Sequence, residues 1–79
     1  MSVKILYFAS LADRAGCSEE TVDADSSTAK SIYAQARQRH GFAFDVDTLR
    51  VAVNGAFVSW DSAVHDADEI VFIPPVSGG

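Results

Sequence analysis

A chain of 79 residues makes one small domain, and a hydrophobic share of 48% excludes a disordered polymer. Eleven acids against six bases give a net charge of −5, and the scattered cations form no basic stripe of the kind nucleic acid requires. The single cysteine allows no internal disulfide, so a reducing compartment is expected.

An acidic surface suits a partner with a basic one, where charge complementarity mainly raises the association rate. No apolar run approaches the roughly 20 residues that span a bilayer. Asp13 and Arg14 interrupt the first apolar stretch before it reads as a signal peptide. No membrane association is expected, and the cytoplasm is the expected location.

The first predicted element is a strand over Val3 to Ala9, rich in β-branched and aromatic residues. Its alternation sets Val3, Ile5 and Tyr7 on one face and Lys4, Leu6 and Phe8 on the other. A loop over Ser10 to Ser18 and a return strand over Thr21 to Ala24 complete a hairpin. Ser26, Ser27 and Thr28 are N-cap candidates for the helix that follows. Ala29, Ile32, Tyr33 and Ala36 fall at i, i+3, i+4 and i+7, one helical stripe. Arg37, Arg39 and His40 suit the negative end of the helix dipole, and Gly41 suits a left-handed C-cap.

Leu49 to Val53 alternates as a strand into Asn54-Gly55, the strongest short signal for a tight hairpin. Ala56 to Trp60 is the return. Asp61 to Glu69 reads as a polar connection with room for one helical turn, and Ile70 to Ile73 is the last strand. One amphipathic helix must bury its stripe against a sheet. The expected fold is therefore α+β: a ubiquitin-like β-grasp over 1–73 with a mixed sheet, the first and last strands parallel at its centre, and one main helix on one face. Residues 74–79 form an extended tail.

That tail is Pro74-Pro75-Val76-Ser77-Gly78-Gly79. The two prolines end strand pairing and stiffen the exit. Six extended residues reach about 20 Å, and the last two, lacking side chains, pass through a channel too narrow for a β-carbon. A terminal carboxylate becomes reactive when a partner enzyme transfers AMP from ATP onto it. The acyl-adenylate then accepts a thiol or persulfide, giving a nucleophilic thiocarboxylate. Such chemistry needs the end to sit among oxyanion donors in another protein's active site. On residues alone, this reading stands beside one in which the end merely frays.

Other groups read more plainly. Cys17 has no neighbouring base or helix N-terminus to activate it. His40 and His65 lie far apart, one a helix-end cation and one a solvated loop residue, so no metal site is expected. Asp66-Ala67-Asp68-Glu69 lacks calcium-loop spacing, and Asp61 suits a cap. If the helix covers Val3, Ile5, Tyr7, Ile70 and Phe72, then Leu6, Phe8, Val71 and Ile73 point away from it, with Phe57 from the hairpin beside them. Either loops cover these side chains or they form an interface; an apolar patch of about 400 Å² would contribute on the order of 10 kcal/mol before association costs.

Taken together, KILYFASLADRAG at the start and VNGAFVSWDSAVHDADEIVFIPPVSGG at the end resemble the MoaD branch of the MoaD/ThiS sulfur carriers, the small subunits of molybdopterin synthase. The resemblance covers the whole chain, and the hydrophobic strand followed by PPVSGG is its specific part. It implies that Gly79 is adenylated by a ubiquitin-activating-enzyme-like partner of the MoeB type, which uses ATP, and that a sulfur donor then converts it to a thiocarboxylate. No cofactor is bound by the carrier itself. The resemblance also implies that Pro74, Pro75, Val76, Ser77 and Gly78 thread into a large subunit of the MoaE type, which Phe8, Phe57 and Ile73 contact. There sulfur passes to cyclic pyranopterin monophosphate, within a heterotetramer.

Two departures stand out. Arg14 lies two residues later than the family's usual arginine, and Ala67 occupies a turn position that is commonly Gly. Carriers for thiazole synthesis or tRNA thiolation share the Gly-Gly end, but thiazole carriers generally lack the paired prolines. A β-grasp interaction module with an idle terminus is the reading from a different class.

Overall fold

Alternation along the strands decides the architecture. Val3, Ile5 and Tyr7 from the first strand and Ile70 and Phe72 from the last are all at most 2% exposed, and they pack against Ala29, Ile32, Tyr33 and Ala36 of the helix stripe. The computed structural model describes residues 1–24 and 28–74. In it, β1 (Ser2–Tyr7) pairs antiparallel with β2 (Glu19–Asp23) and parallel with β5 (Glu69–Ile73). β3 (Arg50–Val53) runs antiparallel to both β5 and β4 (Ala56–Val58). The order β2-β1-β5-β3-β4 puts the first and last strands side by side in the interior of the sheet, as expected.

Helix α2 (Ala29–His40) begins at a capping box: Ser31 N–H donates to Thr28 Oγ1 at 3.2 Å, and Thr28 N–H donates to Ser31 Oγ at 3.3 Å. The other two cap candidates, Ser26 and Ser27, lie outside the described residues. The helix ends as anticipated at Gly41, whose φ of 72° lets its N–H reach the Arg37 carbonyl at 2.7 Å. Asn54 and Gly55 both have positive φ, 51° and 86°, which the two-residue hairpin turn requires.

Three local expectations are corrected. The segment after β1 is not a loop: Ala9–Ala15 is a helix, α1, closed by Gly16 in the left-handed region. Its seven residues are mostly good helix formers, and burying Leu11 to 1% exposure anchors a piece too short to stand alone. β1 accordingly stops at Tyr7, since Phe8 is already the helix's N-cap residue. Among the described residues, the connection from Asp61 to Glu69 contains no helical turn; the short 3₁₀ turn is Val46–Thr48, in the loop after α2. Between β4 and β5 the chain instead bridges Ala63 to Thr28, beside the α2 cap.

Candidate functional site on the open sheet face

The face turned away from α2 is ordered in rows. Register pairs Leu6 with Val71, Val71 with Ala52, and Ala52 with Phe57, so one apolar row crosses four strands from β1 to β4. The row nearer the start of β5 is polar: Lys4 stands opposite Glu69, and its Nζ pairs with Glu19 at 2.9 Å. The row nearer the end of β5 holds Ile73 opposite Arg50, and Phe8 follows Tyr7 at the same level. The apolar part of the face thus lies on the side from which the chain leaves β5.

Exposure marks this face as unfinished. Phe57 is 66% exposed and Phe8 52%, while Leu6, Val71 and Ile73 are half-buried. Ala52 sits low between taller neighbours and is nearly buried. The Arg50 guanidinium lies over the Phe57 ring, 5.7 Å from its centroid. The structure therefore brings together Leu6, Phe8, Phe57, Val71 and Ile73, five of the expected site residues. Pro74 follows directly and is buried, fixing the base of the exit. Pro75, Val76, Ser77, Gly78 and Gly79 lie outside the described residues.

Sequence reasoning missed Arg50 and Ala52. The signal was present: alternation from Leu49 to Val53 sends both to the side opposite Val51, and the Asn54-Gly55 turn sets which β4 residue faces them.

The titratable groups that do cluster lie elsewhere. Glu20 Oε1 accepts from Tyr7 Oη at 2.5 Å, from Arg39 Nη2 at 2.9 Å, and lies 2.8 Å from His40 Nε2. His40, at the end of α2, thus meets Glu20, and its ring packs edge-on to Tyr7 and beside Phe42. Partial burial works against the Glu20 charge but is outweighed by hydrogen bonds from Tyr7, His40 and Arg39, and the carboxyl falls to about 2. Burial and then Glu20 push the Tyr7 phenol up, so it remains a donor. This cluster ties β2 to the end of α2, with Glu20 Oε1 shared among its donors.

Cys17 packs partly buried against the core, and His65 is exposed with Nδ1 3.8 Å from Asp68. Among the described residues, no three metal-capable side chains converge and no helix is long and apolar enough to cross a membrane.

A helix laid across one side of a mixed sheet, with parallel central strands, an apolar outer face and a chain exit beside it, defines a β-grasp domain of the ubiquitin-like class. The sequence matches the ThiS family over residues 5–79, and the chain belongs to that family. It is 35% identical over 80 residues to the molybdopterin synthase sulfur carrier subunit of Escherichia coli (strain K12), covering 98% of this chain and 99% of that one. Its fold is similar to that of the putative molybdopterin converting factor subunit 1 from Pyrococcus furiosus, with TM-score 0.79, 30% identity, and 96% and 99% of the two chains covered. It also superposes on a chain in the complex of subunits 1 and 2 of molybdopterin-converting factor from Helicobacter pylori 26695, with TM-score 0.70 over all of both chains. At 21% identity that likeness carries the fold alone.

Proposed function

We propose that this chain is the sulfur carrier of a molybdopterin synthase, and that its working group is the Gly79 carboxylate. The observation that carries the reading is the apolar pair of rows leading to the end of β5, where buried Pro74 launches the segment that finishes in Gly78-Gly79. A partner that covers those rows is positioned to receive the tail. The full-length likeness to sulfur carrier subunits supports the same reading.

The chemistry belongs to the tail and its partners. A Gly79 carboxylate oxygen attacks the α-phosphorus of ATP in an activating enzyme of the MoeB type, and pyrophosphate leaves. A persulfide sulfur adds to the acyl carbon and AMP leaves, giving an acyl disulfide. A thiolate then attacks the donor's sulfur in that acyl disulfide, forming a disulfide with the donor and releasing the thiocarboxylate. In a large subunit of the MoaE type, that sulfur passes to cyclic pyranopterin monophosphate. Two small subunits on a large-subunit dimer make the proposed heterotetramer, and the setting is the cytoplasm. The folded body contributes no catalytic side chain; it holds the docking face and aims the tail.

Intact mass spectrometry tests this directly. After incubation with the activating enzyme, ATP and a sulfur source, the protein should gain the mass of one oxygen-to-sulfur exchange. No gain under conditions that activate a control carrier rejects a carrier role. Adding the large subunit and the pterin precursor should then yield dithiolene product; its absence reassigns the carrier to thiazole or tRNA sulfur chemistry. Deleting Gly79 should end transfer while leaving the melting temperature unchanged.

A further inference from the structure

Across β1, β5, β3 and β4 the apolar rows contain one charge; Glu19, the register partner of Leu6 on β2, ends its row at the sheet edge and is paired with Lys4. Arg50 is exposed, stands opposite Ile73 in the row beside the tail exit, and reaches back over Phe57. Lys4, in the polar row on the other side of the apolar strip, pairs with Glu19 of β2. Arg37 and Arg39 likewise have carboxylates, Asp45 and Glu20, on the helix side. Among the described residues, no carboxylate lies within ion-pairing distance of Arg50.

From this we infer that Arg50 is a specificity-determining residue of the docking face, and that the protein covering this face presents a carboxylate to it. The inference rests on the proposed docking of a large subunit over the same rows. Covering Phe57 and Ile73 also takes the guanidinium between them out of water, and a desolvated cation without a partner is strongly unfavourable. The contact with the Phe57 ring restrains the guanidinium, whose fork of N–H groups is the geometry a carboxylate accepts in a bidentate pair. Arginine and aromatic residues such as Arg50 and Phe57 are the types enriched at protein interfaces. The partner's facing surface is therefore apolar opposite Leu6, Val71 and Ala52 and acidic opposite Arg50. A carboxylate there also rejects proteins that meet the face with a cation.

The test measures binding of the full-length chain to its own large subunit by calorimetry, at low and physiological salt. Arg50→Glu should weaken binding about tenfold or more, and Arg50→Gln less, with the wild-type salt dependence flattened in both. Changing the facing carboxylate of the large subunit to lysine should restore binding to Arg50→Glu. In synthase assays, Arg50→Glu should raise the carrier concentration needed for half-maximal rate about as much as it weakens binding, and the lysine exchange on the large subunit should reverse that rise.

Wild-type affinity for Arg50→Glu and Arg50→Gln at low salt overturns the inference. Phe57→Ala separates the two levels: if it weakens binding while the Arg50 variants do not, the charge assignment alone fails. If Phe57→Ala and both Arg50 variants all bind normally, the docking face itself is wrong. Far-UV circular dichroism checks that each variant is folded, which the exposure of Arg50 favours.

Discussion

Tyr7 and Glu20 lie diagonally across the paired strands β1 and β2, where Glu20 stands opposite Ile5, and the Tyr7 phenol donates to Glu20 Oε1 at 2.5 Å. The same oxygen receives Arg39 from the last turn of α2 and lies against His40 Nε2. One carboxylate thus joins β1, β2 and the C-terminal turn of α2, at the edge of the sheet where β2 has no further strand to pair with.

The first prediction concerns Glu20 and pH. Its carboxyl is lowered from 4.5 to about 2, so its contribution to stability is full above the unfolded value and is lost as pH falls from about 4.5 toward 2. Glu20→Gln should destabilise the protein by about 1–3 kcal/mol at pH 7. The deficit should shrink as pH falls from about 4.5 toward 2, because there the unfolded wild type binds a proton that the folded form does not. Urea unfolding midpoints at several pH values check this; a deficit that stays constant down to pH 3 would place the effect in packing instead.

The second contrasts two phenylalanines on opposite faces of one sheet. Phe72 is fully buried, with its ring centroid 5.0 Å from Tyr33 and 6.0 Å from Trp60, so Phe72→Ala should cost about 3–5 kcal/mol. That is a large part of the stability available to a small domain. Phe57→Ala should cost no more than about 1 kcal/mol, chiefly its cation–π contact with Arg50. It should nonetheless weaken partner binding. Chemical denaturation beside calorimetric titration separates the two effects, and equal destabilisation by both substitutions would mean that the outer face is packed rather than open.

Ala67 supplies the third. Its φ of 70° puts a residue with a β-carbon in the left-handed region, at the turn entering β5, where its N–H bonds to the Ser2 carbonyl at 2.7 Å. Glycine relieves the steric conflict at some cost in chain entropy. Ala67→Gly should therefore raise stability by about 0.5–1 kcal/mol, a thermal midpoint shift of roughly 2–8 °C for a domain this small. A lower midpoint would show that entropy outweighs the relief.

Much of this was legible from residue spacing, and the exceptions have physical causes. The period-2 pattern of β1 and β5 and the 3.6-period stripe of α2 each bury one face against the other, so local pattern and tertiary packing agree. Helix α1 escaped because seven residues carry too little periodicity to register, and only docking of Leu11 into the finished core makes it stable. The Glu20 cluster escaped because its other members lie 13 to 20 residues from Glu20 and reach it only after folding. The apolar outer face was legible as alternation, but its row order and the place of Arg50 needed the register.

The last prediction tests how the hairpin turn is held to β5. Asn54 Nδ2 donates to Asp68 Oδ1 at 2.9 Å, while Asn54 Oδ1 accepts from Glu69 N–H at 3.0 Å. Its own N–H reaches the Glu69 carbonyl at 2.8 Å. The backbone N–H of His65 and then the Asn54 amide hold Asp68 below its ordinary range, which keeps it an acceptor. Asn54→Asp keeps a residue that tolerates positive φ, but it removes the donor and sets a second carboxylate beside Asp68. Its thermal midpoint at pH 7 should fall by roughly several degrees, and the gap from wild type should narrow as acid neutralises the pair. Asn54→Gly relaxes the backbone yet loses both side-chain bonds, so it should fall between the two. If Asn54→Asp melts with the wild type at pH 7, the backbone turn alone anchors the hairpin to the strand that carries the tail.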